Sequence, residues 1–282
     1  MQDDKLENAY QFCENIVRHH YENFPVASWF LPSELRRPIA VIYAFARTAD
    51  DMADEGALDN KQRLSALEEY EKNLSNLTAS GDPVFIALSD VIQTFHLPLE
   101  LFHDLIAAFK QDTQVNRYQT FEDILLYCQK SANPIGRLLL YLNGQVSEKN
   151  LILSDSICAA LQLINFYQDL AQDYHENKRI YIPLDEMQKY GVDENIFSAQ
   201  KTDQKLNALM HHQVIRAREM LLSGRELGTI MKGRVGFEMR MVIAGGLIIC
   251  EKLLNNTENA FARPRLNKLD ILTMCIKATF KL

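Results

Sequence analysis

The segment Ser33–Asp54 predicts a helix that is apolar on almost every side, and such a helix normally lies in a protein interior. At about 100° per residue its polar side chains fall on one narrow stripe, and the other directions carry mostly Ile, Val, Phe and Ala. The stripe consists of Tyr43, Arg47, Asp50 and Asp54. Since a polar stripe on a buried helix must face something polar, this stripe is a candidate site.

A second helix, predicted over residues 155–174, has the same design on a background of Leu, Ile and aromatic residues. Its polar stripe consists of Gln162, Asn165, Asp169 and Asp173. One acidic stripe at a helix end is most often a solvated surface, but two on apolar backgrounds favour a shared site. We therefore expect both stripes to face one cavity that is polar at one end and apolar deeper in, as in ligand sites of helical bundles.

The spacing of the aspartates indicates what this cavity binds. Each stripe places two carboxylates four residues apart, on the same helix face. In a cleft two such charges about 5 Å apart repel by about 3 kcal/mol at an effective dielectric near 20, and a bound cation removes that cost. Asp and Asn oxygens select hard cations such as Mg2+, which substrate phosphates help to hold. A di-iron site would need Glu-x-x-His pairs, which neither stripe contains.

The rest of the chain predicts helices nearly everywhere and no alternating strand pattern. The other predicted helices are residues 6–21, 60–77, 83–95, 99–111, 121–129, 133–142, 203–222, 236–254 and 268–280. Glycines follow several of these segments and prolines open others, as helix ends require. No composition break separates domains. We expect one all-α domain over residues 1–282.

Composition restricts the partners and the compartment. A net charge of −7 without a basic block argues against nucleic acid as a partner. The five cysteines are scattered without a CxxC pair, which argues against a disulfide framework or zinc site and favours a reducing compartment. The longest apolar run, residues 241–250, is too short to span a membrane. We expect a cytoplasmic protein whose C-terminal stretch, residues 271–282, leaves peripheral membrane contact open.

Taken together, these residues resemble the squalene/phytoene synthase family of head-to-head isoprenoid synthases. The resemblance extends over nearly the whole chain and includes both acidic motifs. Its other matching positions are Phe24, Leu31-Pro32, Tyr127-Cys128 and the run Arg179-Ile180-Tyr181-Ile182-Pro183. It implies an all-helical isoprenoid synthase bundle with a central cavity, and a prenyl diphosphate as substrate.

The resemblance also implies roles for individual residues. The implied Mg2+ ligands are Asp50, Asp54, Asn165, Asp169 and Asp173, of which the aspartates count with Tyr43 and Arg47 as catalytic. Around the diphosphate it places Tyr43, Arg47 and Gln162. Apart from the resemblance, Asp51 is a candidate for substrate binding, and Arg265 is a candidate to reach the diphosphate from the C-terminal region. Phe24 and Tyr127 would shape the region of the prenyl cation. Asn133 and Gln168 are candidates for positioning a reacting water, with a purely structural role as the alternative for each.

Finer features resemble the hopanoid-pathway branch that converts presqualene diphosphate into hydroxysqualene. They are residues 22–28, residues 131–137 and Gln168, which stands where many relatives carry an arginine. The missing charge at Gln168 leaves less positive charge for a second diphosphate. The alternatives are condensation of two farnesyl diphosphates to presqualene diphosphate, squalene or a phytoene-like product, and a non-catalytic assembly factor. A very apolar product predicts a downstream pathway enzyme as a further partner.

Overall fold

The computed structural model describes residues 2–19, 32–77 and 80–280, so Phe24 lies outside the described residues. Within these ranges the chain is helical, and an isolated parallel bridge joins Arg117 and Ile180. The all-α prediction is therefore confirmed. The helices are α1 (Gln2–His19), α2 (Ser33–Asp54), α3 (Asn60–Ser75), α4 (Pro83–Phe95), α5 (Leu99–Asp112), α6 (Phe121–Ser131), α7 (Asn133–Leu142), α8 (Glu148–Gln168), α9 (Leu170–Asn177), α10 (Leu184–Tyr190), α11 (Asn195–Ala199), α12 (Gln204–Ser223), α13 (Leu227–Ile230), α14 (Gly233–Asn255) and α15 (Lys268–Phe280).

These helices form two compact units. Unit 1 comprises residues 1–114 and 134–147, and unit 2 comprises residues 115–133 and 148–282. The expectation of a single domain stays a prediction. None of the described helices is both long and apolar enough to cross a lipid bilayer.

In unit 1, α2 lies at the centre and packs against α1, α3, α4 and α5. Its fully buried Phe45 contacts the rings of Tyr70, Phe85 and Phe102, with centroid distances of 5.2, 6.0 and 5.3 Å. Burial of these four rings removes a large apolar area from water and fixes the rotation of α2 about its axis. The polar stripe of α2 is thereby held half-buried.

In unit 2, α8 packs against α6, α12 and α14. The close approach of α14 depends on Gly246, where a Cβ atom would lie only 2.7 Å from the side chain of Leu221 and 3.0 Å from that of Leu161. A larger residue at this position would force the ends of these two leucine side chains to shift. This packing sets the position of α8, which carries Gln162 and Asn165 of the second polar stripe.

The predicted continuous helix over residues 155–174 is wrong. The chain leaves helical geometry at Asp169, with φ −104° and ψ 18°, between the end of α8 and the start of α9. The backbone N–H of Asp169 still bonds to Asn165 O at 3.0 Å, and that of Asp173 to Asp169 O at 2.8 Å. Because hydrogen bonds persist on both sides, the two aspartates stay one turn apart. The short helices α10, α11 and α13 were not predicted either.

Candidate active site

The first acidic motif lies at the C-terminal end of α2 and is organised by Arg47. Its guanidinium contacts Asp50 at 2.9 Å and Asp51 at 2.6 Å, and also reaches Glu55 beyond the helix end. Arg47 and both aspartates are half-buried. One cation therefore faces three carboxylates, which leaves net negative charge at this end of the helix. Tyr43 and Asp54 lie on the same half-buried face of α2.

The loop that follows this motif is fixed by Arg63 of α3, a residue that sequence reasoning missed. Its guanidinium donates to the carbonyl of Ala53, to that of Leu58 at 3.0 Å and to that of Gly56 at 3.2 Å. Gly56 has a φ of +80°, a conformation that favours glycine. Arg63 thus satisfies the carbonyl of Ala53, which the end of α2 leaves open, together with two carbonyls of the loop. The only sequence signal would have been an arginine shortly after an acidic helix end.

The second acidic motif, in unit 2, contains a more strongly buried pair of carboxylates. Burial raises the pKa of Asp169, and the charges of Arg263 and Arg265 oppose that rise. Burial and the neighbouring charge of Asp169 raise the pKa of Asp173 to about 8, although Arg179 opposes the shift. The raised pKa values of this half-buried pair indicate that the neighbouring arginines only partly offset the cost of burying two carboxylates. A divalent cation would supply further positive charge.

Arg263 binds Asp169 from a loop far away in the sequence. Its Nε lies 2.5 Å from Oδ1, and its Nη2 donates to Oδ2 at 3.0 Å. The side chain of Asp169 is only 18% exposed, so the pair is partly desolvated. Sequence reasoning missed Arg263, and no local pattern could have found a contact across 94 residues.

The other predicted positions of this stripe differ in their surroundings. Gln162 is half-buried and Asn165 is exposed on α8. Gln168 is buried, and its side-chain amide donates to the carbonyl of Pro264 at 2.7 Å. Asn165 is therefore open to an incoming ligand, while Gln168 is joined to the C-terminal loop.

Tyr127 lies in a buried cluster of aromatic rings, next to α8. Its ring centroid is 5.8 Å from that of Tyr181 and 6.1 Å from that of Phe166. Phe166 and Tyr181 stack with their ring centroids 3.7 Å apart. Tyr118 is the fourth ring, with its centroid 5.7 Å from those of Tyr127 and Tyr181. Of these four aromatic residues, only Tyr127 was predicted from the sequence to have a role in the site. Phe166 follows Asn165 directly and precedes Asp169 by three residues, so the cluster adjoins the second acidic motif.

Asn133 and Arg265 are the remaining predicted site residues. Asn133, the first residue of α7, is 5% exposed, and no hydrogen-bond partner for its Oδ1 lies in the described part of the chain. A buried carbonyl oxygen without a partner is costly unless water or a ligand binds it. Arg265 is exposed on the loop before α15, and Lys252 donates to its carbonyl at 3.0 Å.

A group of three or more His, Cys, Asp and Glu side chains arranged to hold a metal ion is absent from the described residues. The prediction that the two acidic motifs share one cavity stays a prediction. Oxygen donors at both motifs, together with the raised pKa of Asp173, fit a hard divalent cation.

Comparison with known proteins indicates the family. The sequence matches the squalene/phytoene synthase family over residues 17–270. A hydroxysqualene synthase of Zymomonas mobilis is 40% identical over 177 residues, which cover 62% of this chain and 59% of that protein. The hydroxysqualene synthase of Rhodopseudomonas palustris is 33% identical over 227 residues, which cover 80% of this chain and 77% of that protein.

The fold agrees with this assignment. The crystal structure of squalene synthase HpnC from Alicyclobacillus acidocaldarius has a TM-score of 0.82 to this chain at 34% sequence identity. The match covers 88% of this chain and 94% of that protein. Sequence and fold agree over most of the length, and the chain belongs to the squalene/phytoene synthase family.

Proposed function

We propose that this protein catalyses the Mg2+-dependent ionisation of presqualene diphosphate and the capture of the rearranged cation by water, giving hydroxysqualene for hopanoid biosynthesis. The observation that carries the proposal is the half-buried carboxylate pair Asp169 and Asp173, whose pKa values are raised by burial although Arg263 contacts Asp169. Two similar relatives are named hydroxysqualene synthase.

Mg2+ fits the oxygen donors that the two motifs offer. The residues proposed to hold a cluster of Mg2+ ions are Asp50, Asp54, Asn165, Asp169 and Asp173. When bound, Mg2+ neutralises charge that develops on the leaving diphosphate. Mg2+ usually takes one or two protein carboxylates and completes its shell with water and substrate phosphates.

The proposed diphosphate contacts come from donors beside the carboxylates. Arg47, already half-buried beside Asp50, can turn its guanidinium to phosphate oxygens, which it binds as readily as carboxylate. Tyr43, Gln162 and Arg265 complete the proposed diphosphate surroundings, and Asp51 is proposed to act there through Arg47, which it contacts at 2.6 Å. Together they hold the leaving group where the carbon–oxygen bond breaks.

The aromatic cluster next to α8 is proposed to stabilise the cation that remains. Tyr127, Phe166 and Tyr181 lie in one buried group, in which Phe166 and Tyr181 stack face to face. A desolvated cation over such a ring gains about 2 kcal/mol. The rings also exclude bulk water, so the cation can rearrange before it is captured.

Asn133 is the better candidate for positioning the reacting water. Gln168 already donates its amide to Pro264 O, whereas Asn133 Oδ1 is buried with no protein partner in the described residues. A water molecule bound at Oδ1 would satisfy this oxygen and stand ready to attack the cation.

The runner-up activity is condensation of two farnesyl diphosphates to presqualene diphosphate or squalene. It is favoured by the similarity to squalene synthase HpnC. The test is to supply presqualene diphosphate or farnesyl diphosphate with Mg2+ and to identify products by mass spectrometry. Hydroxysqualene from presqualene diphosphate alone supports the proposal, and a C30 product from farnesyl diphosphate contradicts it. Absence of diphosphate release from either substrate would instead indicate a non-catalytic assembly factor.

We also propose that α15 rests on the surface of an anionic lipid bilayer. Its exposed apolar stripe consists of Leu269, Leu272, Ile276 and Phe280, which are 74, 58, 48 and 70% exposed. Met274 and Ala278 are buried on the opposite face, against α14. Lys268 and Lys277 stand about 90° to either side of the stripe. Apolar residues flanked by lysines are typical of helices that lie in the bilayer interface, where the lysines pair with anionic headgroups.

Cytoplasmic location and transfer of product to a downstream enzyme stay predictions.

A further inference from the structure

The loop between α14 and α15 is fastened on both sides of Arg263. Before it, Phe261 is buried and meets the ring of Phe197 edge-on, with centroids 5.9 Å apart. After it, Lys252 donates to the carbonyl of Arg265 at 3.0 Å. The loop therefore holds Arg263 in a defined position rather than presenting it on a free segment.

Gln168 ties this loop directly to the second acidic motif. Its side chain is buried, and its amide donates at 2.7 Å to the carbonyl of Pro264, the neighbour of Arg263. Gln168 is also the residue immediately before Asp169. One hydrogen bond thus links the backbone that carries the arginine to the backbone that carries the carboxylate.

The Arg263 guanidinium lies against both oxygens of Asp169: Nη2 donates to Oδ2 at 3.0 Å, and Nε is 2.5 Å from Oδ1, which receives no hydrogen bond in the described part of the chain. It also approaches Gln172 Oε1 at 3.4 Å. Since these are the oxygens through which Asp169 would bind a metal ion, the arginine and the metal compete for the same group. The Arg263 side chain is one-third exposed, so it can leave Asp169 for water without unfolding the loop.

We propose that Arg263 is the resident counter-ion of Asp169, and that Gln168 is the positioning residue that keeps it there. Arg263 holds the carboxylate while no metal is bound and yields it when Mg2+ arrives with the diphosphate. This inference rests on the proposed function, because it takes Asp169 to be a metal ligand. It predicts that the arginine lowers the affinity of the enzyme for Mg2+.

The test measures metal binding without any prenyl substrate. Mn2+ replaces Mg2+ as the probe, inorganic diphosphate is present, and free Mn2+ is counted by electron paramagnetic resonance. We expect Arg263→Gln to bind Mn2+ about 3- to 10-fold more tightly, the range for loss of a partly exposed competing ion pair. Arg263→Lys keeps the positive charge but loses the two-pronged guanidinium, so its Mn2+ affinity should lie between those of wild type and Arg263→Gln.

A matched control is Arg225→Gln, which removes the same charge elsewhere in unit 2. Arg225 is exposed, and its neighbour Gly224 packs so closely against Ile157 of α8 that a Cβ atom on the glycine would lie 2.5 Å from that side chain. The position of Arg225 is therefore near Ile157. Ile157 and Asp169 are separated by about 18 Å of helix at 1.5 Å per residue. The control should change Mn2+ affinity less than twofold, and equal effects of Arg263→Gln and Arg225→Gln would overturn the proposal.

Gln168 is tested by a double-mutant cycle. Gln168→Leu should tighten Mn2+ binding in the wild-type background and have no further effect in Arg263→Gln, because it acts through that arginine. A merely structural role would lower thermal stability equally in both backgrounds and leave Mn2+ affinity unchanged, which would refute the positioning role.

The outcomes separate this inference from the proposed function. If wild type binds no Mn2+ even with diphosphate, the metal-dependent function fails and the counter-ion role with it. If wild type releases diphosphate in an Mg2+-dependent manner but Arg263→Gln binds Mn2+ no more tightly, the function stands and the counter-ion role alone is wrong.

Discussion

The guanidinium of Arg47 lies 2.9 Å from the carboxylate of Asp50, one helical turn away on α2. The second motif has an equivalent contact between Arg263 and Asp169. The arginine comes from the same helix in the first motif and from a loop 94 residues away in the second. Each carboxylate motif therefore has its own arginine, and both arginines also suit phosphate.

Loss of a proposed metal ligand should abolish most of the turnover. We expect Asp50→Asn and Asp169→Asn each to slow diphosphate release roughly 100-fold or more, since a neutral amide stabilises the leaving charge poorly through a metal. Rates are measured by phosphate assay after pyrophosphatase, with products identified by mass spectrometry. Asp185→Asn, an exposed position on α10, is the control and should keep wild-type rates. Wild-type turnover by either site variant would contradict metal-assisted ionisation.

The stability of the metal-free protein should fall as pH rises. The pKa of Asp173 is raised from 3.8 to about 8, so between these values the folded chain holds a proton that the unfolded chain has released. The free energy of unfolding contributed by this group therefore decreases from about pH 4 to pH 8 and is constant above. Urea unfolding in EDTA at pH 6 and pH 8 measures the difference.

Asp173→Asn provides the comparison for this pH dependence. The amide does not titrate, so the variant should lose less stability than wild type between pH 6 and pH 8. Mg2+ with diphosphate should restore wild-type stability at pH 8, because it binds the ionised form. Identical pH slopes for wild type and Asp173→Asn would contradict the raised pKa.

Arg63 should matter for both stability and metal affinity. Arg63→Met removes bonds to the carbonyls of Ala53, Gly56 and Leu58, which we expect to cost about 1–3 kcal/mol of unfolding free energy. The freed loop should also raise the Mg2+ concentration needed for half-maximal activity. Lys61→Met, an exposed position on the same helix, is the control. Equal urea midpoints for the two variants would show that the loop does not depend on Arg63.

Much of this architecture was predictable from sequence for local reasons. The bounds of α2, Ser33–Asp54, agree with the prediction because Pro32 precedes the helix and the apolar pattern continues to its last turn. The same holds for α4, which begins at a proline after the capping residue Asp82. Such signals lie within the element itself, so the sequence contains them.

The misses have a different origin. No glycine or proline marks the break at Asp169, and its backbone hydrogen bonds on both sides are helical, so periodicity continues through it. Helices α10, α11 and α13 have only seven, five and four residues, too few for a period to show. The expectation of less positive charge at the second motif rested on Gln168 alone. Arg263 supplies charge there through a tertiary contact that the local pattern does not contain.

Substitution of Asn133 should change the product more than the fold. Asn133→Leu removes the buried Oδ1 that no described protein group satisfies, so stability should be unchanged or slightly higher. If Oδ1 holds the reacting water, the cation should lose a proton instead of capturing water, so that hydrocarbons replace the alcohol. The rate of diphosphate release should stay similar. Ser131→Ala removes Oγ of Ser131, a second buried oxygen that has no described hydrogen-bond partner. Comparison of the two variants shows which of the two oxygens affects the product. An unchanged fraction of hydroxysqualene in Asn133→Leu would exclude this residue.

Membrane binding should depend on the exposed stripe of α15. Leu269→Glu with Leu272→Glu places two charges where the stripe enters the bilayer interface, and we expect at least a tenfold loss of binding to vesicles that contain one-third phosphatidylglycerol. Binding to pure phosphatidylcholine should already be weaker, because Lys268 and Lys277 then lack anionic partners.

Ile152→Glu is the matched control, since Ile152 is an exposed apolar residue on α8 and 60% exposed. It should co-sediment with the anionic vesicles as wild type does. The stripe could instead seat a second copy of the chain. In that case light scattering would show a dimer that the α15 double variant dissociates, while vesicle binding stayed equal for all variants. That result would contradict the bilayer contact, because the same four side chains cannot be buried against protein and lipid at once.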